Sequence, residues 1–413
     1  MNGPMRILHT ADWHLGDRLG RIDRTADLQR AVEHIAGLCE AHQVEVLLVA
    51  GDLFSELSRP DSLRASVEHL AKVFVPFLVK GGTIVAITGN HDNETFCQTL
   101  RHTMSLAAPA GIDPGSLLPP GRFYLAAEPT LLRLADRAGR PVQFVLMPYP
   151  TPHRYLDDRS RRYQSLEEKN QVLQAAGAAW LRDVRQAPGY DAGLPAVLVA
   201  HIQVGRATLA NLFRLTERES IVFGPDDLPD DWAYVALGHI HRPQCVLGKP
   251  HFRYSGSIAR LDLGEWEDRK EVSLVDLGPD GRASEPVSLP LEARPIYEVV
   301  ITNPPAELPR LRERFPNAAE ALVRYHVVYE AGRDILNDVL AELDNIFPYW
   351  YDRTWSEAGE YPQPNDGADQ RPAGQSFRDT VLGYLDQQLL ESRDRDEVLR
   401  LAEAVLEEEG APP

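Results

Sequence analysis

Short apolar runs recur along this 413-residue chain, and each one stops at a turn carrying glycine or a polar side chain. They are MRILHTAD (5–12), VEVLLVAGD (44–52), TIVAITGNHD (83–92), VQFVLMPY (142–149), AVLVAHIQVG (196–205) and AYVALGHIH (233–241). Val, Ile, Leu and Ala dominate them, as in strands that are covered on both faces. Helices must supply that cover. Leu28, Val32, Ile35 and Cys39 repeat at helical spacing between the first two runs, and Leu63, Val67, Leu70 and Phe74 between the next two. Gly81 and Gly82 mark a helix stop. Strands alternating with helices predict an α/β layered domain.

From about residue 250 the pattern turns to hairpin-like segments, HFRYSGSIARLD and KEVSLVDLGPDG, with a turn at Gly278–Gly281. A compact unit follows over about 291–350: strand RPIYEVVI, helix PPAELPRLRERF, strand ALVRYHVVY and helix RDILNDVLAELDNIF. Residues 356–376 are rich in Pro, Gly and acid, and the stretch 351–376 reads as a flexible linker. Two short amphipathic helices close the chain, the first presenting Phe377, Val381, Leu385 and Leu389. Helices this short need a surface to pack on.

The chemistry lies where the apolar runs stop. Asp12 and His14 are two apart, so an extended segment turns both to one side. Asp52 closes the second run, and Asn90, His91 and Asp92 the third; His201 ends a later run, and His239 and His241 repeat the two-residue spacing. In open α/β sheets, ligands gather outside the carboxyl ends of strands. Carboxylate, amide oxygen and imidazole together suit Mn²⁺, Fe²⁺ or Zn²⁺ better than a purely carboxylate set does. Taken singly, Asp12 reads as a helix cap and GNHD as a turn. Their shared position at strand ends favours a two-metal site, with Asp52 placed to bridge.

In order along the chain, D-x-H (12–14), GD (51–52), GNHD (89–92), His201 and GHIH (238–241) resemble the motif series of calcineurin-like metallophosphoesterases. RILHTADWHLG, VLLVAGDLF, AYVALGHIHRPQ and HFRYSGS are similar to the SbcD-type nucleases within that family. The resemblance implies a two-sheet β-sandwich flanked by helices over 5–290, an α+β capping domain over 291–350 that binds DNA, and a helical ATPase-binding segment over 377–410. It assigns Asp12, His14, Asp52 and His241 to one metal, and Asp52, Asn90, His201 and His239 to the other. It makes His91 the residue that assists the departing oxygen, with Asp92 orienting it. Mn²⁺-dependent 3′→5′ exonuclease action on duplex DNA, with endonuclease action on single strands and hairpins, is the implied activity. Double-strand-break repair with the SMC-like ATPase SbcC is the implied setting, as a homodimer within a heterotetramer. The helix over 61–80 is the candidate dimer interface, and Phe377, Val381, Leu385 and Leu389 the face that docks on the ATPase. One departure is Ser55, where some relatives carry histidine.

Charge sits awkwardly with DNA. Lys and Arg number 43 against 61 Asp and Glu, for a net charge of −18, whereas non-specific DNA binding rests on neutralised phosphates. A local basic rim is therefore expected from Arg18, Arg21 and Arg24 after the first motif, and from Arg206 and Arg242 beside ligands. Arg154, Arg159, Arg161 and Arg162 form a further group. Acid concentrates at the C-terminus, in Glu403, Glu407, Glu408 and Glu409. Cys39, Cys97 and Cys245 are scattered and read as thiols in a reducing cytosol. With no signal-peptide pattern at the start and no long apolar run, a cytoplasmic, nucleoid-associated protein is expected. Rival readings are a phosphodiesterase for small molecules with the same metals, and a non-catalytic DNA-end scaffold. The second domain and helical tail argue against the first, and the complete ligand set with His91 against the second.

Overall fold

A computed structural model describes residues 3–358 except 57, 109–115, 159–160, 206, 208–220 and 279, together with 395 and 400–401. Two sheets dominate. In the first, Met5–Thr10, Val46–Ala50 and Thr83–Ile87 run parallel, and Glu271–Leu277 joins antiparallel beside Met5–Thr10. In the second, Pro141–Met147, Ala196–His201 and Tyr234–Gly238 run parallel.

Alternation along each strand explains the layering, because successive side chains point to opposite faces of a sheet. Ile7, Val46, Leu48, Val85 and Ile87 of the first sheet share one core with Phe144, Val197, Val199 and Tyr234 of the second. Their neighbours Leu8, Leu47, Val49, Ile84 and Ala86 face outward, onto Leu28, Val32, Ile35, Leu70 and Phe74 of the helices Thr25–Ala41 and Pro60–Val79. On the far side, Leu198 and Ala200 pack with Leu173, Ala178 and Leu181 of helix Leu166–Val184. Apolar residues on both faces of each strand therefore serve a sandwich with helices outside it.

The unit after residue 291 holds a three-stranded parallel sheet of Ile296–Ile301, Leu322–Tyr329 and Trp350–Glu357, backed by helix Leu336–Ile346. Two sequence expectations need correction. Residues 351–357 belong to a strand rather than to a linker: WYDRTWSE lies at the sheet edge, half exposed on both faces, so it lacks the alternation that marks a strand. The expected helix PPAELPRLRERF breaks into Pro304–Glu307, Leu308–Arg310 and Leu311–Arg314. Pro309 supplies no N–H and crowds the preceding turn. The remainder of the predicted linker and the docking face at Phe377, Val381, Leu385 and Leu389 lie outside the described residues.

Candidate metal centre and active site

Because the central strands of each sheet run parallel, their carboxyl ends meet at one edge of the sandwich. Backbone bonds extend that meeting past the strands: Asp12 N donates to Gly51 O at 3.0 Å, and Trp13 N and His14 N to Asp52 O at 2.8 and 2.9 Å. The second sheet is tied in by His239 N, which donates to both carboxylate oxygens of Asp12 at 3.0 and 3.2 Å. Asp12, His14, Asp52 and His239 all sit at positive φ (53°, 45°, 51° and 93°). Non-glycine residues held there cost of order 1–3 kcal/mol each and collect at functional sites. The glycines of the motifs have a steric reason. A Cβ on Gly89 would strike the Asp52 carboxylate, and one on Gly238 would strike the carbonyl oxygen of Ala50.

The candidate ligands converge. Asp12, His14 and His241 offer donor atoms within 4.8 Å of one another, and so do Asp12, Asp52 and His201. Asp52 Oδ2 lies 3.6 Å from His14 Nε2 and 3.2 Å from His201 Nε2, so one oxygen faces both groups. Asn90 Oδ1 lies 3.0 Å from His201 Nε2 and 3.1 Å from His239 Nδ1.

The donor chemistry fits divalent cations. His201 Nδ1 lies 2.7 Å from the carbonyl oxygen of Ala50 and must carry hydrogen there. In a neutral ring the Nε2 lone pair then points at the oxygens of Asn90 and Asp52, an arrangement that needs positive charge between them. Without metal a proton fills that need. Burial alone would lower the His201 imidazole, but the adjacent Asp52 carboxylate raises it to about 9. Burial works against the His241 ring as well, and Glu265 and Asp12 lift it to about 9. Burial would raise the Asp52 carboxyl, yet His201, His14 and His91 hold it well below the usual range. His239 is pushed well down by burial and by His201, and its Nε2 is buried with no hydrogen-bond partner. Such a set is short of cations.

His91 stands at the rim, its ring 5.0 Å from that of His14 and its side chain 20% exposed. Its backbone N–H donates to Asp52 Oδ1 at 2.9 Å. The expectation that Asp92 orients it is corrected. Asp92 accepts from the backbone N–H groups of Gly89 (2.8 Å), Phe54 (2.9 Å) and Leu53 (3.2 Å), and nothing joins it to His91 among the described residues. The group beside His91 Nδ1 is instead Glu56, at 3.4 Å. Buried amides claim the Asp92 carboxylate, which thus binds the two motif loops together. Asp92→Ala should accordingly lower the unfolding free energy by at least about 3 kcal/mol in chemical denaturation, since three buried donors lose a charged acceptor.

The expected basic rim is mostly committed elsewhere. Arg21 donates to the carbonyl oxygens of Trp350 (2.9 Å) and Pro348 (3.0 Å) and stacks on Trp350, so it fastens the small three-stranded unit. Arg24 is buried against Asp27 and the carbonyl of Arg260. Arg154 braces the motif loop through the carbonyls of Tyr149 (2.9 Å) and Gly89 (3.4 Å). Arg161 lies 3.6 Å from Glu168. Arg18 and Arg242 keep about half of their side chains exposed, with Asp23 4.0 Å from the first and Asp268 3.7 Å from the second. Arg159 and Arg206 lie outside the described residues. Ser55 is buried and its hydroxyl donates to Asp17 at 3.0 Å, so that position brings no imidazole to the site. Sequence reading passed over Glu265, whose Oε1 lies 2.7 Å from His241 Nδ1, and Tyr149, whose ring lies 5.6 Å from that of His239.

Residues 5–243 match the calcineurin-like phosphoesterase family. The SbcD component of the nuclease SbcCD of Rhodobacter capsulatus is 31% identical over 297 residues, covering 69% of each chain. The chain belongs to the calcineurin-like phosphoesterases, among the SbcD nucleases. The corresponding SbcD component from Bacillus subtilis is 29% identical over 294 residues and 68% of each chain. A DNA double-strand break repair protein Mre11 from Aeropyrum pernix is 26% identical over 299 residues, 72% of this chain and 63% of its own. All the candidate ligands and His91 fall inside the matched family region. No helix among the described residues is long and apolar enough to cross a membrane.

Proposed function

We propose that this SbcD-family phosphodiester hydrolase cleaves DNA with two Mn²⁺ ions, as a 3′→5′ exonuclease on duplex ends and an endonuclease on single strands and hairpins. The observation that carries the reading is the single Asp52 oxygen set between the imidazoles of His14 and His201. One metal would be held by Asp12, His14, Asp52 and His241, the other by Asp52, Asn90, His201 and His239. When bound, such a pair supplies Lewis acidity toward a phosphate oxygen and a water-derived nucleophile at neutral pH. The chain's own residues do the rest. Asp12 and Asp52 concentrate negative charge that the substrate phosphate alone would avoid, so the site selects for the loaded state. His91, at the rim and outside both ligand groups, donates a proton to the leaving 3′ oxygen. Arg18 and Arg242, half exposed and only loosely paired with Asp23 and Asp268, are guanidinium groups placed to meet neighbouring phosphates.

Partners follow from the relatives, whose names make them one component of a nuclease complex. In this reading the segment 377–410 docks on the SMC-like ATPase SbcC through Phe377, Val381, Leu385 and Leu389, and two copies of this chain pair through the helix Pro60–Val79, where Val75 and Val79 are exposed. The setting is DNA double-strand-break repair at the nucleoid. The test is cleavage of end-labelled duplex and hairpin DNA with Mn²⁺, set against a nitrophenyl phosphodiester. DNA should be cleaved with kcat/KM at least about 100-fold above the small ester, because remote binding energy contributes only for the polymer. A chain ending at residue 376 should keep that cleavage and lose retention of the ATPase. Equal or better turnover of the small ester would favour a small-molecule phosphodiesterase instead.

A further inference from the structure

The imidazoles that reach the two metal positions are not held alike. His201 Nδ1 meets a neutral backbone carbonyl, that of Ala50, at 2.7 Å, whereas His239 turns its Nδ1 toward Asn90 Oδ1 at 3.1 Å, itself a candidate ligand, so that contact lies within the metal position and not behind the ring. His241 Nδ1 meets a carboxylate, Glu265, at 2.7 Å. Glu265 is 1% exposed, and its other oxygen is fixed by Lys270 Nζ at 2.5 Å, Ser257 Oγ at 3.0 Å and Leu261 N at 3.3 Å. Lys270 is itself buried, and its ammonium also donates to the backbone carbonyl of His241 at 3.0 Å and lies 3.5 Å from Asp268. His241 is thus gripped twice, by the ring through Glu265 and by the backbone through Lys270.

A buried ion pair is a poor way to gain stability, because desolvation offsets most of its attraction. Here Lys270 balances Glu265 and Arg242 lies 3.7 Å from Asp268, so the cluster's contribution is the carboxylate oxygen held against the ring of His241 rather than a net charge. A carboxylate on the far nitrogen fixes the Nδ1–H tautomer, frees Nε2 for a cation and makes that nitrogen a stronger donor. Asp12 Oδ1 lies 4.0 Å from the same Nε2.

We infer that Glu265 is a positioning residue that makes the Asp12–His14–His241 position the tighter of the two metal sites. The inference rests on the two-metal reading above. It assigns the chain an order of loading: the His241 position fills first, and the Asn90–His201–His239 position fills last and empties first.

The experiment is calorimetric titration of the full-length, metal-stripped protein with Mn²⁺, comparing wild type with Glu265→Gln. The wild-type protein should bind two ions with separable affinities. Glutamine keeps an acceptor for His241 but removes the charge, so the tighter site should weaken by about 10–100-fold while the weaker one holds. A merely structural role for Glu265 would move both sites together or only the thermal midpoint, and either result overturns the inference. Two equal wild-type affinities overturn it as well. Fewer than two ions in wild type would instead sink the two-metal reading itself. A measurement on unmutated protein stands beside this in case the variant does not fold. Nitrogen NMR of histidine-labelled protein loaded with Zn²⁺ should show His241 protonated at Nδ1 and bound through Nε2. Metal on Nδ1 of His241 would contradict the inference.

Discussion

Replacing Asp52 by Asn should reduce Mn²⁺ binding below two ions per chain and DNA cleavage by at least about 10⁴-fold, or about 5 kcal/mol of barrier at 1.36 kcal/mol per tenfold. Asparagine conserves the shape and keeps an acceptor for the backbone N–H of His91, which Asp52 Oδ1 now holds at 2.9 Å. What it removes is the charge on the side chain whose Oδ2 faces both ligand groups. Asp52 Oδ2 faces His14 and His201 together. Its loss therefore weakens both metal positions at once, unlike the loss of an outlying histidine. The variant should also retain the fold, because the backbone bonds that join the first two motif loops run from Asp12, Trp13 and His14 to the carbonyls of Gly51 and Asp52 and do not use its side chain. Calorimetry with Mn²⁺ and a single-turnover assay check the two halves. Two ions bound with near wild-type affinity would show that Asp52 does not bridge.

His91→Ala should give the complementary result: both metal affinities unchanged, and turnover lower by about 10²–10⁴-fold, the usual contribution of a positioned acid. His91 belongs to neither ligand group, and its ring stands partly exposed beside His14 where a leaving oxygen would emerge. The loss should appear in kcat rather than KM, because the proton matters only as the bond breaks. Substrates with a leaving group as good as nitrophenolate need less protonation and should be hurt less. Equal loss on DNA and on the nitrophenyl ester would assign His91 to positioning instead. Near-normal cleavage of DNA would remove it from the reaction.

The candidate ligands were legible because strand burial and the polar residue that ends each strand are written in one place. An apolar run declares the strand, and the polar residue that ends it declares which edge of the sheet it serves. That is why Asp12, Asp52, Asn90, His201 and His239 could be placed together from their positions at the ends of the apolar runs. Errors arose where a partner is set by tertiary contact. Asp92 neighbours His91 in sequence, but its carboxylate is captured by amides of Leu53 and Phe54 from another loop. Arg21 sits next to the first motif, yet its acceptors are carbonyls at Pro348 and Trp350. Glu265 falls in EWEDRK, a stretch that reads as solvated charge until folding buries it against His241. The strand Trp350–Glu357 was hidden for a related reason. An edge strand exposed on both faces carries no alternation to detect.

The most direct test of the account is anomalous diffraction from crystals of the protein soaked in Mn²⁺. Two peaks about 3.5–4 Å apart should appear, with Asp52 Oδ2 between them, His14 and His241 on one and Asn90, His201 and His239 on the other. A single peak, or two that do not share Asp52, would contradict it.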